Sequence, residues 1–166
     1  MADDERFRIV EVDPLLLHSE KQRVMELLCA MVPRSCVMEV GSTAVQGLIG
    51  KQDVDFAVCV PRRRFVATRR VLDAALSRNP GQLSDSQFQG YLVASPLDIA
   101  VQLTVEGGPY DDFSAFLAAL KASATLREAY NALKRYWDGR PMEDYRGAKA
   151  AFIAAALRKR PGAERP

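Results

Sequence analysis

The feature that most constrains this chain is a glycine–serine turn that is followed, after ten intervening residues, by a pair of aspartates. Gly41-Ser42 ends one predicted strand, and Asp53 and Asp55 open the next. Strand residues two apart point to the same face of a sheet, so both carboxylates should share one face while Val54 and Phe56 point into the core. Aspartate is unfavourable in strands, and two in one short strand indicate a functional pair.

Each part of this unit has a chemical use. Gly41 lets the backbone approach a ligand closely, and Ser42 offers a hydroxyl and a backbone N–H to a phosphate oxygen. The turn that continues through Thr43 can present further N–H groups to an anion. Adjacent carboxylates repel unless a cation lies between them, and Mg²⁺ is often held by one or two carboxylates together with substrate phosphates. The pattern predicts a magnesium and nucleotide site; a merely solvated strand face is the alternative.

A third carboxylate could complete such a site. Asp98 begins the predicted strand LDIAVQLTV, where it would share a face with Ala100, Gln102 and Thr104. If this strand lies next to the strand that carries Asp53 and Asp55, Asp98 could serve as a metal ligand or as a general base for an attacking hydroxyl. Aspartate after Ser95-Pro96 is also a common turn residue, so the alternative of a structural turn stays open.

Basic residues offer further candidates for anion binding. Lys51 lies two residues before the aspartate pair and could reach a phosphate as a point charge, although it could equally be a surface lysine. Five arginines between positions 62 and 70 could form a solvated helix face or contact an anionic partner. No aromatic residues alternate with them as a stacking platform would require, and the net charge is only +2, so nucleic acid is not indicated.

Hydrophobic periodicity predicts an α/β (α+β) fold in a single domain over residues 1–158, with a disordered polar tail at 159–166. We expect a small, mixed, twisted sheet of four or five strands with helices on one face and a helical C-terminal part. Capping boxes at Ser19 and Thr125 and the proline at position 61 mark three helix starts. The predicted strands cover 7–12, 36–40, 53–60, 88–94 and 97–105, and the predicted helices cover 19–31, 61–77, 111–121, 125–137 and 143–158.

Several classes of protein are disfavoured by composition. No apolar run is long enough to cross a bilayer, and the charged N-terminus lacks a signal peptide, so we expect a cytoplasmic protein. The odd number of cysteines, Cys29, Cys36 and Cys59, predicts buried free thiols rather than disulfides or a zinc site. His18 is the only histidine, which argues against a histidine-based triad or metal centre.

Gly41-Ser42 followed by Asp53 and Asp55 resembles the pattern of the nucleotidyltransferase superfamily, and the stretch GSTAVQGLIGK at 41–51 is similar to the GrpB family. Near the C-terminus, Tyr130 with Lys134 and Tyr145 with Lys149 match the spacing of that family's closing helices, so the resemblance covers about residues 8–157. It implies a nucleotidyltransferase-like fold whose C-terminal helices close over the site. Lys134 and Lys149 would then bind phosphates, with structural packing of the two tyrosines as the alternative.

The chain also departs from the family pattern. Glu39 stands where a histidine is usual, glutamines replace prolines at 46 and 52, and the aspartate pair has the register of the wider superfamily. Gln102 and Thr104 replace a histidine pair on a later strand, and Leu117-Ala118 replaces an arginine–aspartate pair. The resemblance therefore implies a divergent member whose substrate need not be that of other members.

The first functional hypothesis is an Mg²⁺-dependent enzyme that transfers a nucleoside monophosphate from an NTP, with ATP as the expected donor, to a small-molecule or protein acceptor. Ser42 would hold the β and γ phosphates, Asp53 and Asp55 would bind Mg²⁺, and Asp98 would complete the site. The alternative is a non-catalytic or repurposed scaffold that acts as a nucleotide-binding or protein-interaction module. Different chemistry on a phosphorylated or acyl-adenylate substrate is a third possibility. The base, the acceptor and the oligomeric state are left open.

Overall fold

The computed structural model describes residues 5–158 as one five-stranded sheet that carries helices on both faces. The predicted α/β fold with a small mixed sheet is confirmed. The helices are α1 (Pro14–Met31), α2 (Phe65–Asp73), α3 (Asp112–Ala122), α4 (Ala124–Trp137) and α5 (Met142–Arg158). The strands are β1 (Val37–Val40), β2 (Val54–Val60), β3 (Ser77–Arg78), β4 (Phe88–Leu92) and β5 (Ile99–Val105). The predicted disordered tail lies outside the described residues.

The order of the strands in the sheet is β1-β2-β5-β4-β3. The central pair, β2 and β5, is parallel, whereas the other neighbours run antiparallel, and β4 and β5 form a hairpin. The short edge strand β3 was not predicted. It lies at the end of the predicted helix 61–77, which begins with a 3₁₀ turn at Arg62–Arg64 and ends already at Asp73.

One face of the sheet packs against α1 and α2. Val54 and Phe56 of β2 are fully buried there together with Leu28 of α1 and Leu72 of α2, as their alternation with the aspartates predicts. Burial of such apolar side chains contributes about 1.5–3 kcal/mol each. The opposite face, which carries Asp55 and Ala57, is covered by the C-terminal helices α3, α4 and α5. Asp55 therefore lies between the sheet and the C-terminal helices.

The N-terminal segment differs from the prediction. Residues 7–12 form no strand; Phe7 is buried and stacks on Tyr145 of α5 with ring centroids 3.8 Å apart. Helix α1 begins at Pro14, not after Ser19, because the Asp13 carboxylate accepts a hydrogen bond from the Leu15 N–H at 2.9 Å. A proline suits the first helical position, so Asp13-Pro14 sets the start of the helix.

Two smaller predictions are also corrected. Helix α4 is capped by Ser123, whose hydroxyl accepts from the Leu126 N–H at 3.1 Å, and not by Thr125. The three cysteines are free, as predicted, but each is only partly buried. None of the helices in the described part of the chain has the length and apolar character needed to span a bilayer.

Candidate functional site

A cavity of about 340 Å³ lies between the site face of the sheet and the C-terminal helices. It brings together most of the residues that the sequence singled out. Thr43 and Asp98 are the two predicted site residues that do not line it. Those that do are Gly41, Ser42, Lys51, Asp53, Asp55, Lys134 and Lys149.

The glycine–serine turn lies directly against Asp55. Val40 at the end of β1 pairs with Asp55 of β2, so the chain leaves β1 directly beside this carboxylate. Gly41 has a φ of 77°, and a Cβ added to it would lie 2.8 Å from the Asp55 Oδ2. Both the left-handed backbone and the close approach require glycine at this position. Ser42 then begins a single 3₁₀ turn, Ser42–Ala44.

Asp53, directly before β2, and Asp55 within β2 form an acidic pair that lines the cavity. Burial and the neighbouring Asp53 raise the pKa of the Asp55 carboxyl to about 6, and the charges of Lys149 and Lys51 act in the opposite direction. Within residues 5–158, neither carboxylate forms a salt bridge. Like charges held together without a cationic side chain in contact fit a divalent cation, and oxygen ligands of this kind suit Mg²⁺.

Asp98 is placed beside the pair by the register of the sheet but does not face the cavity. Its carbonyl accepts from the Val54 N–H at 2.9 Å, and its side chain is exposed. Its negative charge contributes to the raised pKa of Asp55. In the described part of the chain, no three acidic, histidine or cysteine side chains converge as a group that could hold a metal ion. The role of Asp98 as a third ligand or base thus stays a prediction.

Lys134 of α4 enters the cavity from the opposite side. It is only 1% exposed, and its Nζ donates to the Ser42 hydroxyl and, at 2.6 Å, to the Ile49 carbonyl. Its Nζ also lies 4.2 Å from the centre of the Tyr130 ring. Burial and the charge of Lys149 lower the pKa of Lys134 to about 7, against a weaker influence of Asp53. A buried amine with no carboxylate in contact among residues 5–158 is a ready receptor for an anion.

Helix α4 also forms hydrogen bonds with the loop between the glycine–serine turn and β2. The Asn131 side chain is buried; its oxygen accepts from the Ile49 N–H at 3.0 Å and its nitrogen donates to the Gly47 carbonyl at 2.9 Å. Asn131 and Lys134 are three residues apart and so share one face of the helix. Sequence reasoning missed Asn131, although a polar residue on a helix face that carries Tyr130 and Lys134 is a signal that could have identified it.

Thr43 supports the turn from behind and does not line the cavity. Its hydroxyl donates to Glu39 Oε1 at 3.2 Å, and its carbonyl accepts from the Lys21 Nζ at 2.6 Å. Lys21 and Glu39 form an ion pair at 2.7 Å. Glu39, at the position where the family pattern has histidine, therefore faces α1 and serves this network. Sequence reasoning also missed Lys21, which no local pattern marks.

The far end of the cavity is apolar. The aromatic side chains of Phe88, Tyr110 and Phe113 line the cavity, and the register of the sheet places Gln102 between Phe88 and Asp55. None of the three rings was predicted as a site residue. Among the departures from the family pattern, Leu117 lines the cavity with Gln102, whereas Thr104 is fully buried in β5 and Ala118 is exposed.

The comparisons with known proteins agree with each other. Residues 8–159 match the family described as GrpB protein. A UPF0157 protein of Vibrio cholerae serotype O1 is 24% identical over 131 residues, which cover 78% of this chain and 70% of the relative. The crystal structure of the conserved protein GrpB from Enterococcus faecalis superposes with a TM-score of 0.66 and 18% identity, over 91% of this chain and 98% of that one. At this identity the structural likeness concerns the fold alone.

Proposed function

The chain belongs to the GrpB family, and we propose that it is an Mg²⁺-dependent enzyme that transfers a nucleoside monophosphate from an NTP to a small-molecule or protein acceptor. One observation carries the proposal: the Asp53–Asp55 pair lines the same cavity as the buried Lys134, which contacts no carboxylate among residues 5–158. Carboxylates that lack a counter-ion suit a cation, and a buried amine that lacks a carboxylate suits an anion. A metal–triphosphate complex supplies both charges in one ligand.

The residues have separate tasks in this proposal. Asp53 and Asp55 would hold Mg²⁺, which supplies charge neutralisation at the phosphates. Ser42 and Lys134 would bind the β and γ phosphates, with Lys51 and Lys149 contributing positive charge at the same end of the cavity. These contacts hold the α-phosphorus in place for attack, so most of the rate enhancement would come from positioning and electrostatics.

The transfer itself is a displacement at phosphorus. An acceptor hydroxyl oxygen forms a bond to the α-phosphorus, the bond from that phosphorus to the β-bridging oxygen breaks, and pyrophosphate leaves. The hydroxyl proton passes to a carboxylate near the reacting oxygen. Asp98 is our candidate because its carbonyl accepts from the Val54 N–H, between the two aspartates, and its charge acts on Asp55. To accept the proton, its side chain would have to turn from its exposed position into the cavity.

Replacement of both aspartates tests the proposal. Asp53→Asn with Asp55→Asn should abolish Mg²⁺-dependent release of pyrophosphate from ATP, GTP, CTP or UTP. Asp112→Asn is a matched control because it neutralises another carboxylate that lines the cavity. The double variant should unfold at the same or a higher temperature, since it removes like charges held in contact with the core. Unchanged pyrophosphate release in the double variant would refute the assignment.

The alternative, a nucleotide-binding module without catalysis, is favoured by one observation. Asp98 does not line the cavity, and the described residues offer no third metal-binding carboxylate beside the pair. Thermal unfolding with and without Mg²⁺ and each nucleotide separates the two functions. A ligand-dependent shift accompanied by pyrophosphate release supports the enzyme; the same shift with no turnover on any acceptor supports the module.

A further inference from the structure

The apolar end of the cavity has no task in the phosphate chemistry. We call it the aromatic end; it is formed by Phe88, Tyr110 and Phe113. The rings of Phe88 and Tyr110 lie 5.2 Å apart at an interplanar angle of 55°. Because the cavity is continuous, a ligand whose phosphates lie against Lys134 has space to extend towards these rings. Leu117, Leu120 and Ile153 form the apolar wall of the same cavity.

The register of the sheet gives the separation between the two ends. Asp55 of β2 pairs with Ala100 of β5, and Phe88 of β4 pairs with Thr104 of β5. Four residues along a strand span about 13 Å, and two steps between strands span about 10 Å, so the two backbone positions lie roughly 16 Å apart. A ligand that contacts both ends must be extended, or two ligands must bind side by side.

The aromatic end is held in place by hydrogen bonds of its own. The Asp85 carboxylate accepts from the Tyr110 hydroxyl at 2.8 Å and from the backbone N–H groups of Gln87 at 2.7 Å and Phe88 at 2.8 Å. These bonds, of which the one from Gln87 has the largest effect, hold the pKa of Asp85 below its usual range. The Tyr110 hydroxyl and the Phe88 backbone are thus tied to the same carboxylate, and such preorganisation lowers the entropy cost of binding.

From the aromatic lining and the continuous cavity, we propose that the aromatic end is a subsite for a planar aromatic ring. The ring belongs either to the nucleobase of the donor or to the acceptor, and its identity as part of a transfer substrate rests on the proposed function above. Ring faces stack on aromatic side chains, and Gln102 on the wall between the two ends can both donate and accept a hydrogen bond. Stacking is tolerant of base identity, so this subsite favours a ring over a bare phosphate chain without selecting one base.

The test removes the rings and keeps the apolar volume. We would measure the affinity of the double variant Phe88→Leu with Phe113→Leu for three probes: Mg²⁺–ATP, Mg²⁺–tripolyphosphate and the fluorescent probe anilinonaphthalene sulfonate. Tyr136→Leu is the matched control, because this ring is 59% exposed and does not line the cavity. If the nucleobase occupies the aromatic end, ATP affinity falls about five- to tenfold and tripolyphosphate affinity is unchanged.

If the acceptor ring occupies the aromatic end, neither phosphate ligand responds to the substitutions. The naphthalene probe then binds the wild type in the presence of saturating Mg²⁺–ATP and loses this binding in the double variant. If neither phosphate ligand binds the wild type while ring-dependent binding of the naphthalene probe persists, the subsite stands and the proposed transfer fails. The subsite is overturned if no probe binds in a way that depends on the two rings, or if Tyr136→Leu has the same effect as the double variant.

Discussion

Lys21 and Lys134 both donate hydrogen bonds to the loop between β1 and β2, but they reach it from opposite faces of the sheet and in different electrical surroundings. Lys21 of α1 is paired with Glu39 at 2.7 Å. Lys134 of α4 is more deeply buried, and among residues 5–158 its Nζ donates to two neutral oxygens, those of Ser42 and Ile49, and forms no salt bridge. A salt bridge already satisfies the first lysine, whereas in our proposal the second meets its counter-charge only when the phosphates of a bound ligand reach it.

The largest effect is expected from Lys134→Met. Charge-assisted hydrogen bonds contribute about 1.5–3 kcal/mol each, so the affinity for Mg²⁺–ATP should fall about 10- to 100-fold. The free energy of unfolding should stay within about 1 kcal/mol of the wild type or increase, because a buried charge is replaced by an apolar chain of similar length. Isothermal titration and chemical unfolding measure the two effects. If Lys134→Met instead lowers the free energy of unfolding and keeps the affinity for Mg²⁺–ATP, Lys134 has a structural role like that of Lys21.

A smaller effect should appear in the pH dependence of stability. The pKa of Lys134 is lowered to about 7, so between that value and the usual range for lysine the unfolded chain binds more protons than the folded one. The free energy of unfolding should therefore rise with pH from about 7 upwards, relative to Lys134→Met, and this gain should be absent at lower pH. Denaturant titrations of both proteins at matched pH values measure the difference. Parallel profiles would show that Lys134 stays charged in the folded state.

Local patterns were sufficient for the acidic pair and its turn. Gly41 and the two aspartates follow from a strand–turn–strand alternation that involves neighbouring residues only. The bond from Lys134 to Ser42 joins residues 92 positions apart, and the bond from Asn131 to Ile49 joins residues 82 positions apart. Helix periodicity predicts α4 but not which loop it contacts. The bonds from Lys134 and Asn131 to the loop therefore could not be derived from the sequence.

The remaining differences in the fold have comparable causes. A two-residue strand such as β3 has no periodicity to detect, and it forms because Ser77 and Arg78 pair with the edge of β4. Ser19 and Asp13 are both good capping residues, and Pro14 decides between them. The aromatic end was missed because Phe88 and Phe113 come from separate elements, and each alone is indistinguishable from a core residue.

The smallest effect, expected from Lys21→Met, provides the matched control for Lys134→Met. The side chains of Lys21 and Glu39 are 21% and 24% exposed, so the ion pair is partly screened by solvent and its loss should cost about 1 kcal/mol or less. Thr43 retains its bond to Glu39, and the Ser42 hydroxyl retains its bond to Lys134 on the other face. The affinity for Mg²⁺–ATP should therefore remain within about twofold of the wild type, since a distant, independent contact contributes little to the site. If titration instead shows that Lys21→Met lowers the affinity as much as Lys134→Met does, both lysines act by holding the loop in place. The lack of a carboxylate beside Lys134 would then not identify an anion-binding site.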